Sequence, residues 1–322
     1  MNPWRPPTGW VGVGLLTLML WIVAWSVQTA SWAKGLFVLP LAVTGAVIVS
    51  LALARMEWMP GSLAHGWSFV LGVMWTLYLG TRVLPVYDDS LQLGGLTVWE
   101  RMAAVRDAVA QWLWAARGTS ASEGPAASAA PFSGLVFVLA VTLLMWLLSY
   151  VCVRFLVRYQ GFWGATLPAS FALLANLYYA PDTPPSYLAL FLLCALLLAA
   201  RTSVALNQVY WRRARIPYAP DIGIDFLKDA AVVAVAVLAL GWLAPVDVGR
   251  PPLASMARSV VGSSVGMQTQ FKQLFPDLNL PVRGSGGAYS DTMPLTGAIS
   301  LSSVPIFDVR VEGDRVPRYW RM

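Results

Sequence analysis

Long apolar stretches with very few charged residues recur along this chain, and no other feature restricts its fold as strongly. Only 12% of the 322 residues are charged and 57% are hydrophobic, with a mean hydropathy of +0.62. Soluble domains carry roughly 25% charged residues, so a water-soluble chain of this composition could not cover its surface with polar groups. The composition argues against a soluble enzyme, a disordered chain, a coiled coil and a disulfide scaffold, and it predicts a polytopic membrane protein.

Seven stretches are candidates for membrane-spanning helices, because a helix needs about 20 apolar residues to cross the hydrocarbon core of a bilayer. They are 9–27, 33–54, 66–84, 132–153, 163–180, 187–200 and 230–246. The fifth contains Pro168 and Asn176, and the Pro-rich run 181–185 joins it to the sixth as a tight hairpin. The first is longer than the roughly 7–15 apolar residues of a signal peptide, which favours an uncleaved helix. The predicted fold is an all-α polytopic membrane domain of about seven helices over 1–246.

Basic residues near the ends of the spans predict the orientation, because cytoplasmic loops carry an excess of Lys and Arg. With the N-terminus in the cytoplasm, most of these residues fall inside: Arg5, Arg55, Arg154, Arg158, Arg201, Arg212, Arg213, Arg215 and Lys228. The outer turns then hold Lys34, with Arg82 near the outer end of the third span. The net charge of +6 is therefore interpreted as a topology signal and not as a nucleic-acid-binding surface, and the C-terminus is predicted to be extracytoplasmic.

The outer segment 85–131 contains a helical pattern over 97–116. Apolar residues recur there at helical spacing and form one face: Val98, Met102, Val105, Val109, Trp112 and Leu113. Trp99, Trp112 and Trp114 suit the headgroup layer, where an indole ring is buried while its N–H stays hydrated. The pattern predicts an amphipathic helix that lies on the outer leaflet or caps the bundle.

A basic loop, 201–229, and a tail, 247–322, complete the predicted domain organisation. The loop is cytoplasmic in this orientation, and its arginine cluster at 212–215 either binds anionic lipids or a partner or only holds the loop inside. In the tail, residues 306–311 alternate between apolar and polar side chains, which is typical of a β-strand. The tail is predicted to be the extracytoplasmic start of a β-rich domain.

Residues with catalytic or metal-binding chemistry are few. His65 is the only histidine, and Cys152 and Cys194 are the two cysteines, both inside apolar runs. A catalytic His65–Cys152 pair at the inner face is conceivable, with Glu57 on the same side, but no carboxylate stands at motif spacing to orient the histidine. We therefore interpret His65 as an interfacial histidine and the two cysteines as packed thiols. Asn176 is expected to hydrogen-bond between helices. No catalytic, cofactor-binding or metal-binding residue is assigned from the sequence.

Other small and polar residues have structural interpretations. Asp88 and Asp89 follow the outer end of the third span and could bind a cation, but the start of a solvated loop is favoured, with Arg82 as an ion-pair partner for one of them. Glycines within the spans favour close contacts between helices. These are Gly45, Gly72 and Gly80.

Two further runs of residues suggest a family. Just before the last span stand Trp211, Arg212, Arg213, Tyr218, Asp221 and Asp225-Phe226-Leu227. The tail contains Gly286-Gly287, the run 301–311 and Tyr319-Trp320-Arg321. Together these runs resemble the bacterial transglutaminase-like membrane proteins of the TgpA type. In that family a multi-helix region leads into an extracytoplasmic strand segment and then into a papain-like transglutaminase core with a Cys-His-Asp triad.

The resemblance implies that this chain is the membrane-anchoring N-terminal region of such a protein, in a bacterial inner membrane. The catalytic core is expected beyond this chain, so no residue here is matched to the triad. A non-catalytic membrane scaffold is the alternative, and a transporter is less favoured because the span centres are nearly free of charge and no internal repeat occurs. Expected partners are membrane lipids and an extracytoplasmic protein partner or peptide substrate. No cofactor and no nucleic acid is expected.

Overall fold

A computed structural model describes residues 9–56, 58–87, 97–118, 132–180, 183–215, 222–243 and 275 of this chain. These residues belong to one compact unit, Met1–Pro281. A second unit, Val282–Met322, lies outside the described residues, as does the whole tail 247–322 except Phe275. The predicted β-rich character of the tail therefore stays a prediction.

Helices make up nearly all of the described part, and no strand occurs in it. They are α1 (Gly9–Thr29), α2 (Leu39–Arg55), α3 (Gly61–Tyr87), α4 (Val98–Gly118), α5 (Ser133–Arg158), α6 (Phe162–Tyr179), α7 (Ser186–Arg213) and α8 (Ile222–Leu243). A single 3-10 turn, Leu36–Val38, leads into α2. The all-α prediction is confirmed for this part of the chain.

Five helices within the described residues are long and apolar enough to cross a membrane: α1, α2 with its preceding 3-10 turn, α3, α5 and α7. The prediction of a multi-pass membrane protein is thereby confirmed. The other two predicted spans correspond to α6 and α8. Pro168 lies within α6, which has 18 residues, and Asp225 lies in the first turn of α8. The count of seven spans stays a prediction.

Contacts between the termini of different helices define two distinct ends of the bundle. At one end, helices α1, α3 and α8 begin and helices α2 and α5 end. The Arg55 guanidinium at this end lies over the ring of Trp10, 5.3 Å from the ring centroid. We call this the basic end. At the opposite end, the α4 end, α1, α3 and α6 finish, and the Tyr87 hydroxyl donates a 2.6 Å hydrogen bond to the Lys34 carbonyl.

The core forms around α1, which packs against α2, α5, α6 and α7. Leu16, Leu20 and Val23 recur at helical spacing on α1 and are fully or almost fully buried. In the other half of the bundle, α5 packs between α2 and α3, and its Trp146 is buried there. The Trp146 indole N–H donates a 3.0 Å hydrogen bond to the backbone carbonyl of Ser68 on α3.

Glycines let the tryptophans of this half approach the neighbouring helices. A methyl group added at Gly72 would lie 2.6 Å from Trp146, and one added at Gly45 would lie 2.8 Å from Trp75. At Gly80 the added group would meet Leu139 at 2.8 Å. All three distances are shorter than van der Waals contact, so the expected close helix contacts at these glycines are confirmed.

The structure differs from the sequence interpretation in the basic loop, because most of 201–229 is helical. Helix α7 continues through Arg201 to Arg213, and α8 already begins at Ile222. Twenty-eight residues make a helix about 42 Å long, whereas a bilayer core is about 30 Å thick. A methyl group at Gly9, the first residue of α1, would lie 2.9 Å from the Arg201 guanidinium. The last turns of α7 therefore extend past the point where α1 begins.

Candidate functional site

The α4 end of the bundle is covered by an amphipathic helix whose apolar residues face the spans. Met102 and Val105 of α4 are buried, and a methyl group at Gly80 on α3 would lie 2.9 Å from Val105. The apolar face predicted for the helix over 97–116 is therefore confirmed at these two positions. The structure leaves Val98 and Leu113 exposed, because the buried stripe is centred on Met102, Val105 and Ala108 and these two residues lie at its margins. Helix α4 caps the bundle through contacts with α3 and α5.

The first turn of α4 is held by a capping box, in which Thr97 and Glu100 satisfy each other's polar groups. The backbone N–H and the hydroxyl of Thr97 donate hydrogen bonds of 2.7 and 2.9 Å to the Glu100 carboxylate. In return, the backbone N–H of Glu100 donates to the Thr97 hydroxyl at 3.4 Å. The backbone N–H of Thr97, followed by its hydroxyl, lowers the pKa of Glu100 below its usual value.

An aromatic contact connects α4 to the chain that follows α8. The ring of Phe275 stacks on Trp112 of α4, with centroids 5.5 Å apart and planes inclined by 16°. The same ring meets Phe137 of α5 in a T-shaped arrangement at 5.7 Å. Both geometries are favourable for aromatic pairs. Phe275, far along the chain after α8, is therefore held at the α4 end.

Sequence reasoning missed the contact of Phe275. A single aromatic residue in an irregular segment has no periodicity, and nothing in the chain marks Trp112 and Phe275 as neighbours. The available signal was Trp112 itself, which the sequence pattern assigns both to the apolar face of the predicted helix and, with Trp99 and Trp114, to the headgroup layer. Trp99 and Trp114 are indeed about 70% exposed, whereas Trp112 is partly buried.

Asn176 joins three parts of the bundle near the α4 end. Its Nδ2 donates a 2.8 Å hydrogen bond to the Ser26 hydroxyl of α1, and its Oδ1 accepts a 3.0 Å hydrogen bond from the indole N–H of Trp32. Ser26 is fully buried and Asn176 nearly so. The prediction that Asn176 hydrogen-bonds between helices is confirmed.

The candidate nucleophiles and base do not form a catalytic group in the described residues. Cys152 and Cys194 are free and buried. His65 instead hydrogen-bonds through Nδ1 to the Tyr150 hydroxyl at 3.0 Å. Tyr150 and Cys152 are two residues apart on α5, which turns them to opposite sides of that helix. The interpretation of packed thiols agrees with this burial.

Three carboxylates considered in the sequence, Glu57, Asp88 and Asp89, lie outside the described residues. Arg82, considered as a partner for the two aspartates, lies over the ring of Tyr78 with its guanidinium carbon 5.8 Å from the centroid. Among the described residues, no three His, Cys, Asp or Glu side chains form a group that could hold a metal ion.

The α4 end thus holds the Phe275 side chain against α4 and the start of α5. No family model, curated protein or solved structure matches this chain.

Proposed function

We propose that this chain is the membrane-anchoring region of a transglutaminase-like protein, and that its α4 end orients an extracytoplasmic papain-like domain carried outside residues 1–322. The contact of Phe275 with Trp112 and Phe137 is the observation that supports an anchoring role most directly. A segment that follows the last helix is fixed to the bundle there, so a domain attached to it would have a restricted position. The family itself rests on the resemblance of the runs around 211–227 and 286–321.

The side of the membrane is proposed from the distribution of charge. Described basic residues are concentrated at the end opposite α4: Arg55, Arg154, Arg158, Arg201, Arg212, Arg213, Arg215 and Lys228. The α4 end holds fewer described basic residues, Lys34, Arg82, Arg101 and Arg106, and the last two are accompanied by Glu100 and Asp107. By the positive-inside rule, the basic end would be cytoplasmic and the α4 end extracytoplasmic, in a bacterial inner membrane.

The chemistry would be acyl transfer or hydrolysis at protein or peptide amides, carried out by the Cys-His-Asp triad of the attached domain. The membrane region would contribute position and not reacting groups. In the described bundle the two thiols are buried and the only histidine is hydrogen-bonded to Tyr150. A nucleophile needs a base within about 2.6–3.2 Å and a path for substrate.

A non-catalytic scaffold is the second candidate, and the outer surface of α4 supports it. Trp99, Leu113 and Trp114 are exposed there, and exposed aromatic residues are enriched at sites that bind other proteins. In that case α4 and the tail would hold a partner protein at the membrane, and nothing would be catalysed.

The anchoring role can be tested by photo-cross-linking in membranes. A benzophenone amino acid in place of Phe275 is expected to cross-link to α4 or to the start of α5. The variant Trp112→Ala should lower the yield severalfold, while Trp114→Ala, an exposed tryptophan on the same helix, should leave it unchanged. Equal yields in both variants would contradict the anchoring contact.

The enzyme family requires a separate test, because the contact alone fits both candidates. The intact mass of the natural gene product should be compared with the reading frame beyond the codon for Met322. A larger product that contains a Cys, a His and an Asp in a transglutaminase-like core would support the proposal. If neither this frame nor an adjacent one encodes such a core, the result would favour the non-catalytic scaffold over the transglutaminase-like anchor.

A further inference from the structure

A buried arginine with no acidic partner lies at the basic end of the bundle. Arg154, one turn before the end of α5, is 9% exposed, and no described acidic side chain forms an ion pair with it. Its Nε atom is buried and has no hydrogen-bond partner within the described protein. A buried cation is costly unless an opposite charge or acceptors compensate it. Among the described residues, Arg154 therefore lacks an acceptor that would compensate its charge.

A tyrosine and a histidine lie next to Arg154. The Arg154 guanidinium lies beside the Tyr150 hydroxyl, and arginine can only donate hydrogen bonds. The same hydroxyl is hydrogen-bonded to Nδ1 of His65, with 3.0 Å between the two atoms. The side chain of His65 is exposed, and its second ring nitrogen, Nε2, is a hydrogen-bond donor when it carries a proton.

The start of α3 adds a third set of donors. Gly61 is its first residue, and a methyl group added there would lie 3.2 Å from Nη2 of Arg154. The guanidinium thus lies against the first turn of a 27-residue helix. The first backbone N–H groups of a helix have no partner within it, and the helix dipole is positive at this end. Glycine leaves the space that this close approach requires.

We propose that Arg154, His65 and the first turn of α3 form a binding site for the phosphate group of an anionic ligand. The Arg154 guanidinium, the first backbone N–H groups of α3 and a protonated ring nitrogen of His65 are all hydrogen-bond donors, and a phosphate supplies acceptors and negative charge. Gly61 and His65 are exposed, so the site is open to the membrane surface. The phosphate could belong to an anionic lipid headgroup or be free in solution. The proposal is independent of any transglutaminase activity.

Native mass spectrometry of the purified chain, with phosphatidylglycerol and phosphatidylcholine as probes, tests the site. The protein is expected to bind phosphatidylglycerol about tenfold more tightly, the effect of a charge-assisted hydrogen-bond pair. Arg154→Met should remove that preference. Met fills a similar volume, and replacing an unpaired buried charge with an apolar residue is tolerated by folding. Arg158→Gln, an exposed arginine one turn later on α5, is the matched control and should change the affinity by about twofold or less.

Inorganic phosphate distinguishes the two sources of the ligand. If it displaces phosphatidylglycerol from the wild-type chain, the site accepts any phosphate; if it does not, the site selects the lipid headgroup. Should Arg154→Met fail to fold, His65→Phe offers a second variant, with an expected loss of about threefold from one missing donor. Equal binding by the wild type and both site variants, or an equal loss in Arg158→Gln, would overturn the proposal.

Discussion

Glycine and tryptophan act as a pair where α2, α3 and α5 meet. The indole of Trp146 lies against Gly72, and that of Trp75 lies against Gly45. The two indoles also contact each other, with centroids 6.4 Å apart. In a membrane, helices associate mainly through close packing and hydrogen bonds, because the lipid is as apolar as the side chains. Space left by glycine is therefore as important here as the rings that fill it.

Replacing Gly72 with leucine should destabilise the bundle by about 2–3 kcal/mol, because the new side chain overlaps Trp146 and overpacking costs that much. Unfolding in mixed micelles by increasing SDS would measure the change. Gly66→Leu is the matched control on the same helix, since a methyl group at Gly66 would have no atom within 4 Å. Similar losses in both variants would show that leucine harms α3 for a reason other than contact with Trp146.

Asn176 is a second residue whose contribution to stability depends on its neighbours. Asn176→Leu should cost about 1 kcal/mol, within the measured range for hydrogen bonds between membrane helices, because the Ser26 hydroxyl and the Trp32 indole lose their partner. The same SDS titration applies, with Leu174→Ala as a control because Leu174 is half exposed on α6. An unchanged midpoint for Asn176→Leu would mean that this network adds no stability.

Among the elements, α4 differs from the spans in being held by its own first turn as well as by packing. The Thr97–Glu100 capping box closes the first turn of this helix. Its buried stripe then aligns the helix across α3. Both features fix the position of Trp112, which contacts Phe275.

The capping box makes the start of α4 sensitive to pH. The folded-state pKa of Glu100 is lowered, so its stabilising effect is complete above the unfolded pKa near 4.5 and disappears as the pH falls through the folded value. Hydrogen exchange at the start of α4 should therefore accelerate in acid. Thr97→Ala should accelerate it about fivefold at neutral pH through loss of the cap, and Thr97→Ser should restore protection. Exchange rates that do not depend on Thr97 would contradict the box.

Hydropathy predicted the places of the helices well, because burial in lipid requires long apolar runs with internally paired backbones. The end of α7 could not be predicted in this way. From Arg201 onward polar residues interrupt the apolar run, yet Ala205, Leu206 and their neighbours still favour a helix. The contact of Phe275 and the hydrogen bond between His65 and Tyr150 depend on residues distant in sequence, for which a single chain carries no local pattern.

At the scale of the whole molecule, the two ends of the bundle have different compositions. The basic end combines exposed arginines with the buried Arg154, whereas the α4 end combines a capped amphipathic helix with an aromatic contact. The proposed anchoring contact and the proposed phosphate site lie at opposite ends, so the two proposals can be tested separately. An anchoring role at one face does not exclude phosphate binding at the other.

The orientation can be measured by labelling single cysteines in cells after Cys152 and Cys194 are replaced with alanine. Trp114→Cys should react with an impermeant maleimide in spheroplasts, whereas Arg213→Cys should react only after the membrane is opened. Both positions are exposed in the structure. Ser303→Cys should react like Trp114→Cys if α8 crosses the membrane and the count of seven spans is correct. The opposite pattern at positions 114 and 213 would reverse the proposed topology.

The hydrogen bond between Ser26 and Asn176 also bears on how the protein is made. The two residues are 150 positions apart, and ribosomes add about 5–20 residues per second, so Asn176 follows Ser26 by roughly 8–30 s. Until then the Ser26 hydroxyl can bond only within its own helix, to the carbonyl one turn earlier, as the hydroxyls of Ser149 and Thr202 do. The link between the first helix and the sixth therefore forms late in synthesis, by adding an acceptor role to a hydroxyl that is already in place.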